Sequence, residues 1–510
     1  MVINPRDNVE VREDGHKYAL RDIASGENVI KYGMPIGHAT AFIKKGEHVH
    51  SHNLATNLGP QLDYVYEPEK AAPFEPEAGA GGETFLGYRR SGGRVGVRNE
   101  IWVVATVGCV NALCERLAAS CGGLALTHPY GCSQLGDDHE TTANLLAALC
   151  CHPNAGGVLV VGLGCENNTL DSFKSRVDAL ASHLVRGSDS RGSGALAASY
   201  TGAAHTRGSG ALAASCTGAA HTRGSGALAA SCGNGLSSLN IRFMRAQDPG
   251  DEFARGMELI AELQAEAANA VREPIPVSEL KVGLKCGGSD GFSGLTANPL
   301  VGHFSDWLAA RGGSTVLTEV PEMFGAEALL MNRCRDRATF DKFVKMINGF
   351  KAYYESHGQP CCENPSPGNK AGGITTLEDK SLGCVQKGGT SPVNDVLGYG
   401  EQVKEHGLSL ITGPGNDLVA ATVLAAAGCH LILFTTGRGT PFGTVVPTMK
   451  VATNSTLAKS KPHWVDWDAM ANPDVEEFAR KVLAVASGEL AANERNNARG
   501  IAIFKDGVTL

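Results

Sequence analysis

Along this chain the spacing of apolar positions changes character at two places. Over residues 1 to 62 short β-branched runs alternate with glycine turns, as in KYALRDIASGENVIKYGMPIGHATAFIKKGEHVHSHNL, and this pattern predicts a small all-β module. Residues 63 to 82, which include VYEPEKAAPFEPEAGAGG, are rich in Pro, Glu, Ala and Gly, lack an apolar period and read as a linker. From Glu83 onward, unbroken apolar runs end in Gly or Cys and feed helical stretches: IWVVATVGCVNALCERLAA, GGVLVVGLGCENNTLDSF, LKVGLKCGG and CHLILFTTGRGTPFG. Such runs are the signature of parallel sheets covered on both faces by helices. The expected architecture is multidomain: the all-β module, then two α/β domains with mainly parallel sheets. The domains are expected at 83 to 275 and 276 to 510, divided where VREPIPVSELK interrupts an Ala/Glu-rich helix.

Within the first α/β domain, an insertion at 187 to 236 fits no domain pattern. RGSGALAASYTGAAHT, RGSGALAASCTGAAHT and RGSGALAASCGN repeat almost identically from residue 191 to 234. A solenoid needs large apolar residues to stack its copies, and these contain only Leu and Ala. The block reads as a recent tandem expansion forming a surface loop, or as an artefact of the sequence. Cys216 and Cys232 inside it are poor ligand candidates.

Composition narrows the function. The 510 residues are 43% hydrophobic and 19% charged, with a net charge of -8, which suits a globular protein and argues against nucleic acid as a partner. No run of about 20 apolar residues and no leader pattern occurs, so a cytoplasmic protein without a membrane partner is expected. The 15 cysteines then suggest reduced thiols, some of them metal ligands, rather than disulfides.

Candidate chemistry gathers where apolar runs end. Cys109, Cys132, Cys165 and Cys286 share one setting, the carboxyl end of a strand, which is where open α/β sheets place ligands. Converging thiolates suit a soft metal such as iron, although no CxxC spacing supports that reading. The competing reading is four small buried residues. GEHVHSHN places His48, His50 and His52 at alternating positions, on one face if the segment is a strand, with His16 nearby in sequence. His128 and His139 flank Cys132, with Asp137 and Asp138 between them, in a patch that either carries acid–base groups or simply opens a helix. Lys370 in NPSPGNKAGG and Arg438 in TTGRGTPFG lie in glycine turns, and with GPGNDLVA they describe a pocket for a small anionic, hydroxyl-rich ligand. Asp290 and Asn298 in KCGGSDGFSGLTANP are further substrate-binding candidates. No phosphate loop or dinucleotide fingerprint is present, which disfavours kinase and nicotinamide chemistry.

Several long motifs carry a resemblance. YRRSGGRVGVRNEIWVVATVGCVN, YGCSQLGDDHETT, VVGLGCENN, KCGGSDGFSGLTANP, LTEVPEMFGAE, NPSPGNKAGGITTLEDKSLGC, FTTGRGTPFG and NERNNARGIAIFKDGVTL resemble the galactarate/altronate dehydratase family, and HVHSHN and SLGC its altronate branch. The resemblance spans nearly the whole chain apart from the repeats, and it implies a β-clip (SAF) module at the N-terminus. It further implies a hydro-lyase that dehydrates D-altronate in hexuronate breakdown and requires iron, as Fe2+ or an iron–sulfur cluster, or manganese. On it rest iron ligation by Cys109, Cys132, Cys165 and Cys286, carboxylate binding by Lys370 or Arg438, and acid–base roles among His16, His50, His52 and His128. Galactarate, a sulfolactate-type acid, or silent binding of a sugar acid are the alternatives, and a homo-oligomer is compatible with the sequence. The stretch from Val9 to Gly15 is shorter than in relatives, so an incompletely folded module is also an expectation.

Overall fold

The computed structural model describes residues 1, 4–59, 63–70, 82–186, 235–361, 363–507 and 509, so the repeats and most of the linker lie outside the described residues. The N-terminal module is two small antiparallel sheets. Strands β1 (Val9–Val11), β2 (Lys17–Ala19) and β5 (His48–Val49) form one, and β3 (Asn28–Lys31), β4 (Met34–Ala39) and β6 (Leu54–Ala55) the other. Val9, Ala19, Ile23, Val29, Ile36, Ile43 and Val49 fill its core, and Val9 pairs Ala19 while Val11 pairs Lys17. The short Val9–Gly15 stretch therefore closes a complete hairpin, contrary to the expectation of incomplete folding. Strand β5 is only two residues long, because the chain turns at Ser51 instead of continuing.

After the linker, β7 (Thr84–Arg89), β8 (Val95–Gly96) and β13 (Arg272–Pro276) make an antiparallel sheet that brackets the next unit. That unit is a parallel sheet, in the order β10 (Leu124–Leu126), β9 (Glu100–Ala105), β11 (Ala155–Gly162), β12 (Ile241–Arg245). Helices α1 (Asn111–Cys121), α2 (Gly136–Cys150), α3 (Leu170–Arg186) and α4 (Glu252–Ala267) cover it. Both faces of β9 and β11 are buried, which is why their sequences are continuous rather than alternating.

The C-terminal domain is a seven-stranded parallel sheet, ordered β16 (Val393–Leu397), β17 (Gly407–Ile411), β15 (Ser314–Leu317), β14 (Lys281–Cys286), β18 (Leu431–Thr436), β19 (Thr448–Ala452), β20 (Trp467–Asp468). Its flanking helices include α5 (Ala297–Ala310), α6 (Glu327–Met331), α7 (Arg337–Ser356), α8 (Pro367–Ala371), α9 (Leu377–Cys384) and α10 (Asp417–Ala426). The two parallel sheets lie side by side. Helices α2 and α10 share one hydrophobic core through Leu145, Leu146, Leu149, Ala421, Leu424 and Ala425. Just before β11 and β18, His152 Nε2 donates to the Cys429 carbonyl at 3.2 Å and Asn154 Nδ2 to that of His430 at 2.9 Å. These contacts tie the amino ends of the two strands together.

Candidate functional site

At the carboxyl edge of the C-terminal sheet the apolar runs give way to a buried charged network. Lys285, the penultimate residue of β14, is fully buried. Its Nζ bonds the Glu319 carboxylate, lies 2.9 Å from Asp417 Oδ1 and donates to the Cys286 carbonyl at 2.6 Å. Glu319 Oε2 accepts the Cys286 N–H at 2.9 Å and lies 3.4 Å from Lys387 Nζ. These contacts hold Glu319 in the left-handed region, φ 72°, a conformation that costs a non-glycine residue about 1–3 kcal/mol. Burial alone would pull Lys285 down, but Glu319 and Asp417 raise it above its ordinary value, so the ammonium is charged.

Helix α9 closes this edge and joins it to the N-terminal module. Thr376 caps it, its Oγ1 accepting the Asp379 N–H at 3.2 Å. Asp379 is fully buried between Lys17 at 2.7 Å and Lys31 at 3.0 Å. Glu378 accepts from Thr56 Oγ1 at 2.9 Å and the Asn57 N–H at 2.6 Å. The next residue, Lys380, reaches Glu322 Oε1 at 2.7 Å, and Cys384 at the helix end donates to Glu322 Oε2 at 3.2 Å. One short helix thus presents two carboxylates to the module and an ammonium and a thiol to the sheet edge. One carboxylate cannot compensate two buried cations equally: burial brings Lys17 down to about 8, while Asp379 is held well below the usual carboxylate range by the two lysines despite its burial.

Above α9, the rings of His16, His48, His50 and His52 gather. His48 lies 5.0 Å from His16, 5.4 Å from His50 and 5.6 Å from His52 between centroids, and His48 Nε2 is 3.2 Å from His16 Nδ1, so one proton is shared between those rings. His50 Nε2 donates to the Lys370 carbonyl at 2.9 Å. Burial lowers His48 and His50, and the neighbouring imidazoles push the same way on His48, which favours neutral, proton-accepting rings near neutrality. A cavity of about 430 Å³ adjoins this cluster at the seam between module and C-terminal domain, lined by Asp14, Gly15, Phe292, Gly372, Arg438 and Asn454. Arg438 and Lys370 are both exposed, and the Lys370 carbonyl anchors the histidine cluster.

The expected four-cysteine set divides. Cys109, Cys132 and Cys165 follow β9, β10 and β11, and all three are exposed. Their loops are stitched together: Gly108 N–H bonds the Tyr130 carbonyl at 2.8 Å, Asn168 N–H that of Gly131 at 3.1 Å, and Ser133 N–H the Asn167 side chain at 3.0 Å. Cys286 belongs elsewhere. Its Sγ is buried at the C-terminal sheet edge, 3.3 Å from Cys384 Sγ and 3.2 Å from Glu322 Oε2. The contact with Cys384 brings the Cys286 thiol down, and the same contact with burial drives Cys384 up.

Three expected site residues are structural. His128 is buried, its Nε2 donating to the Ala105 carbonyl at 2.9 Å and its Nδ1 accepting the Tyr130 N–H at 3.1 Å, so both nitrogens are spent on a strand-end turn. Asn298 donates to the Gly383 carbonyl at 2.9 Å and accepts from Thr435 at 2.6 Å, tying α5 to α9 and β18. Asp290 reaches the cavity wall, but its carboxylate is consumed by Ser293, Thr453 and Asn454. Asp137 and Asp138 open α2, and Asp138 accepts the backbone N–H groups of Asp506 and Gly507 at 2.9 and 2.8 Å, which is the helix-start reading. Lys17, Lys285, Glu319, Glu322, Asp379, Lys380, Cys384 and Lys387 were not read from sequence as site residues. The available signal was a lysine inside the apolar run VGLKC, an uncommon place for an unpaired charge.

Comparison with known proteins follows these three units. Residues 2–57 match the altronate/galactarate dehydratase SAF domain, 87–213 the second domain of D-galactarate dehydratase/altronate hydrolase, and 277–509 the C-terminal domain of D-galactarate/altronate dehydratase. An altronate dehydratase of Bacillus subtilis is 49% identical over 98% of this chain and 94% of its own length. An altronate dehydratase of Escherichia coli is 48% identical over the same shares. The L-threo-forming galactarate dehydratase of Escherichia coli is 29% identical over 94% of this chain and 87% of its own.

Proposed function

The chain belongs to the D-galactarate/altronate dehydratase family, and on that premise we propose how it removes water from D-altronate to give 2-dehydro-3-deoxy-D-gluconate. The reaction is a hydro-lyase elimination. The bond from C2 to hydrogen breaks, its electron pair forms the C2–C3 double bond, the C3 hydroxyl leaves as water, and the enol tautomerises to the 2-keto acid. The C2 proton is weakly acidic because the adjacent carboxylate is already negative, so the site must neutralise that charge. Arg438 faces the carboxylate from the seam cavity with its planar fork, and Lys370 adds a second cation from α8. His16, beside Gly15 on the cavity wall, takes the C2 proton, and His48 behind it shares that proton. His52 returns a proton to the leaving hydroxyl, while His50, with Nε2 donating to the Lys370 carbonyl and Nδ1 against Ser51 Oγ, positions the cluster.

Cys109, Cys132 and Cys165 offer iron three soft, exposed donors on stitched loops; their sulfur atoms do not all lie within 4.8 Å of one another, so the set is of the kind that ligates a cluster rather than a single ion. Manganese, which prefers oxygen donors, fits this set less well. Iron held there would supply Lewis acidity to an oxygen ligand at an open coordination position. No helix among the described residues is long and apolar enough to cross a membrane, in keeping with a cytoplasmic place in hexuronate breakdown.

The observation that carries the reading is that motifs from the first module and from α8, β14 and β18 meet at one cavity, in a chain that follows two altronate dehydratases at nearly half identity over 98% of its length. The test is an anaerobic assay of the iron-loaded full chain for 2-keto-3-deoxy acid, with D-altronate and galactarate in parallel. Product from D-altronate in preference to galactarate is expected. A folded, iron-loaded sample that turns over galactarate alone would overturn the substrate, and one that turns over neither would overturn the activity.

A further inference from the structure

The C-terminal sheet edge holds a set of donors that the elimination does not use. Cys286 ends β14, Cys384 ends α9, and Glu322 ends the turn Val320–Glu322 that follows β15. Their Sγ and Oε2 atoms form a triangle with edges of 3.3, 3.2 and 3.2 Å, and all three side chains are buried. Cys286 and Cys384 are free thiols rather than a disulfide. We infer that Cys286, Cys384 and Glu322 form a binding site for one soft divalent metal ion of the zinc or ferrous class, separate from the three exposed cysteines. The inference does not rest on which acid the chain dehydrates.

Geometry and charge both support it. Donors around a tetrahedral ion with bonds of about 2.3 Å stand about 3.8 Å apart, so the triangle needs to open by only a few tenths of an ångström to receive one. Ser289 Oγ, 3.4 Å from Cys286 Sγ and also buried, stands where a fourth donor would be needed. Around the triangle, the cations Lys285, Lys380 and Lys387 already face the anions Glu319, Glu322 and Asp417. Binding exchanges the two thiol protons for one dication, M2+ + 2 RSH → M(SR)2 + 2 H+, so the buried charge stays balanced. Two thiolates select zinc or ferrous ion over magnesium, calcium or manganese. Because the donors are buried, the ion serves to pin α9 to β14, and α9 is the helix on which the N-terminal module rests.

The test removes the competing thiols first. In the full chain carrying Cys109→Ser, Cys132→Ser and Cys165→Ser, reduced and stripped of metal without oxygen, cobalt(II) is titrated in and followed by absorption and native mass spectrometry. One cobalt per chain with a thiolate-to-cobalt charge-transfer band is expected. Adding Cys384→Ser should abolish the band, and Glu322→Gln should weaken binding by roughly 10-fold or more while both thiols remain. Should Cys384→Ser fail to fold, cobalt or zinc must instead protect Cys286 and Cys384 of the triple variant from alkylation, read by peptide mass spectrometry. No band in the triple variant, a band that survives Cys384→Ser, or alkylation of both thiols unaffected by metal would overturn the site.

Discussion

Two parallel sheets lie side by side in this protein, and their carboxyl edges hold opposite solutions to the same position. The first sheet ends in exposed thiols at Cys109, Cys132 and Cys165, on loops held by backbone hydrogen bonds. The second ends in fully buried charges, with Lys285, Glu319, Glu322 and Lys387 sealed beneath α9 and the N-terminal module. The difference lies in what covers the edge. A module docked through Lys17 and Lys31 excludes water, so each charge beneath it needs a partner inside the protein. An uncovered edge leaves its ligating groups to solvent and to whatever binds there. The module is therefore structurally part of the C-terminal site: Gly15 and Arg438 line one cavity at the seam, and His50 bonds the Lys370 carbonyl across it.

The largest test of this contrast is Asp379→Asn. It removes the one carboxylate between two buried ammonium groups, and breaking a buried pair in this way costs about 3–5 kcal/mol. Chemical denaturation should show that loss, together with faster proteolysis between module and C-terminal domain. A loss as small as that of a surface pair, under about 1 kcal/mol, would mean the seam is wet.

A smaller effect per group is expected from acid. Burial places His128 at about 4 and His152 at about 3, below the ordinary 6.5. The unfolded chain takes up these protons near pH 6.5 while the folded chain resists, so stability present above pH 6.5 falls as pH drops toward 4, by up to about 3 kcal/mol per histidine. The denaturation midpoint followed from pH 7.5 to 4.5 should decline, and decline less steeply in His128→Gln, where the contribution of His152 remains. A midpoint that holds constant would contradict the buried, neutral assignment.

The smallest stability change is expected at the exposed edge. Cys109→Ser, Cys132→Ser and Cys165→Ser singly should each shift stability by less than about 0.5 kcal/mol while lowering the iron content of anaerobically loaded protein. Unchanged iron in all three would remove that edge as the iron site.

Much of the architecture was legible in the apolar runs. A continuous stretch such as IWVVA must be buried on both faces, and the Gly or Cys that ends it marks the edge where ligands collect. The histidine group was also visible, although His48 and Val49 form only a two-residue strand and the rings converge through the turn at Ser51 to Asn53 rather than by alternation. The charged network was not legible, because its pairs join residues far apart in sequence: Lys17 meets Asp379 across 362 positions, and nothing local to GHKYAL announces that partner. His128 and Asn298 sat in polar motifs that look the same whether the side chain turns toward a substrate or toward the backbone. Only the packing distinguishes them, by spending both imidazole nitrogens and both ends of the amide on internal partners.

The claim that chemistry occurs at the seam is tested most directly by the steady-state kinetics of Arg438→Ala on D-altronate, with iron content and melting temperature measured on the same sample. Loss of the planar cation facing the cavity should lower kcat/KM by about 100-fold or more, at unchanged iron content and unchanged melting temperature. Kinetics indistinguishable from the parent protein would place the substrate elsewhere and contradict the account.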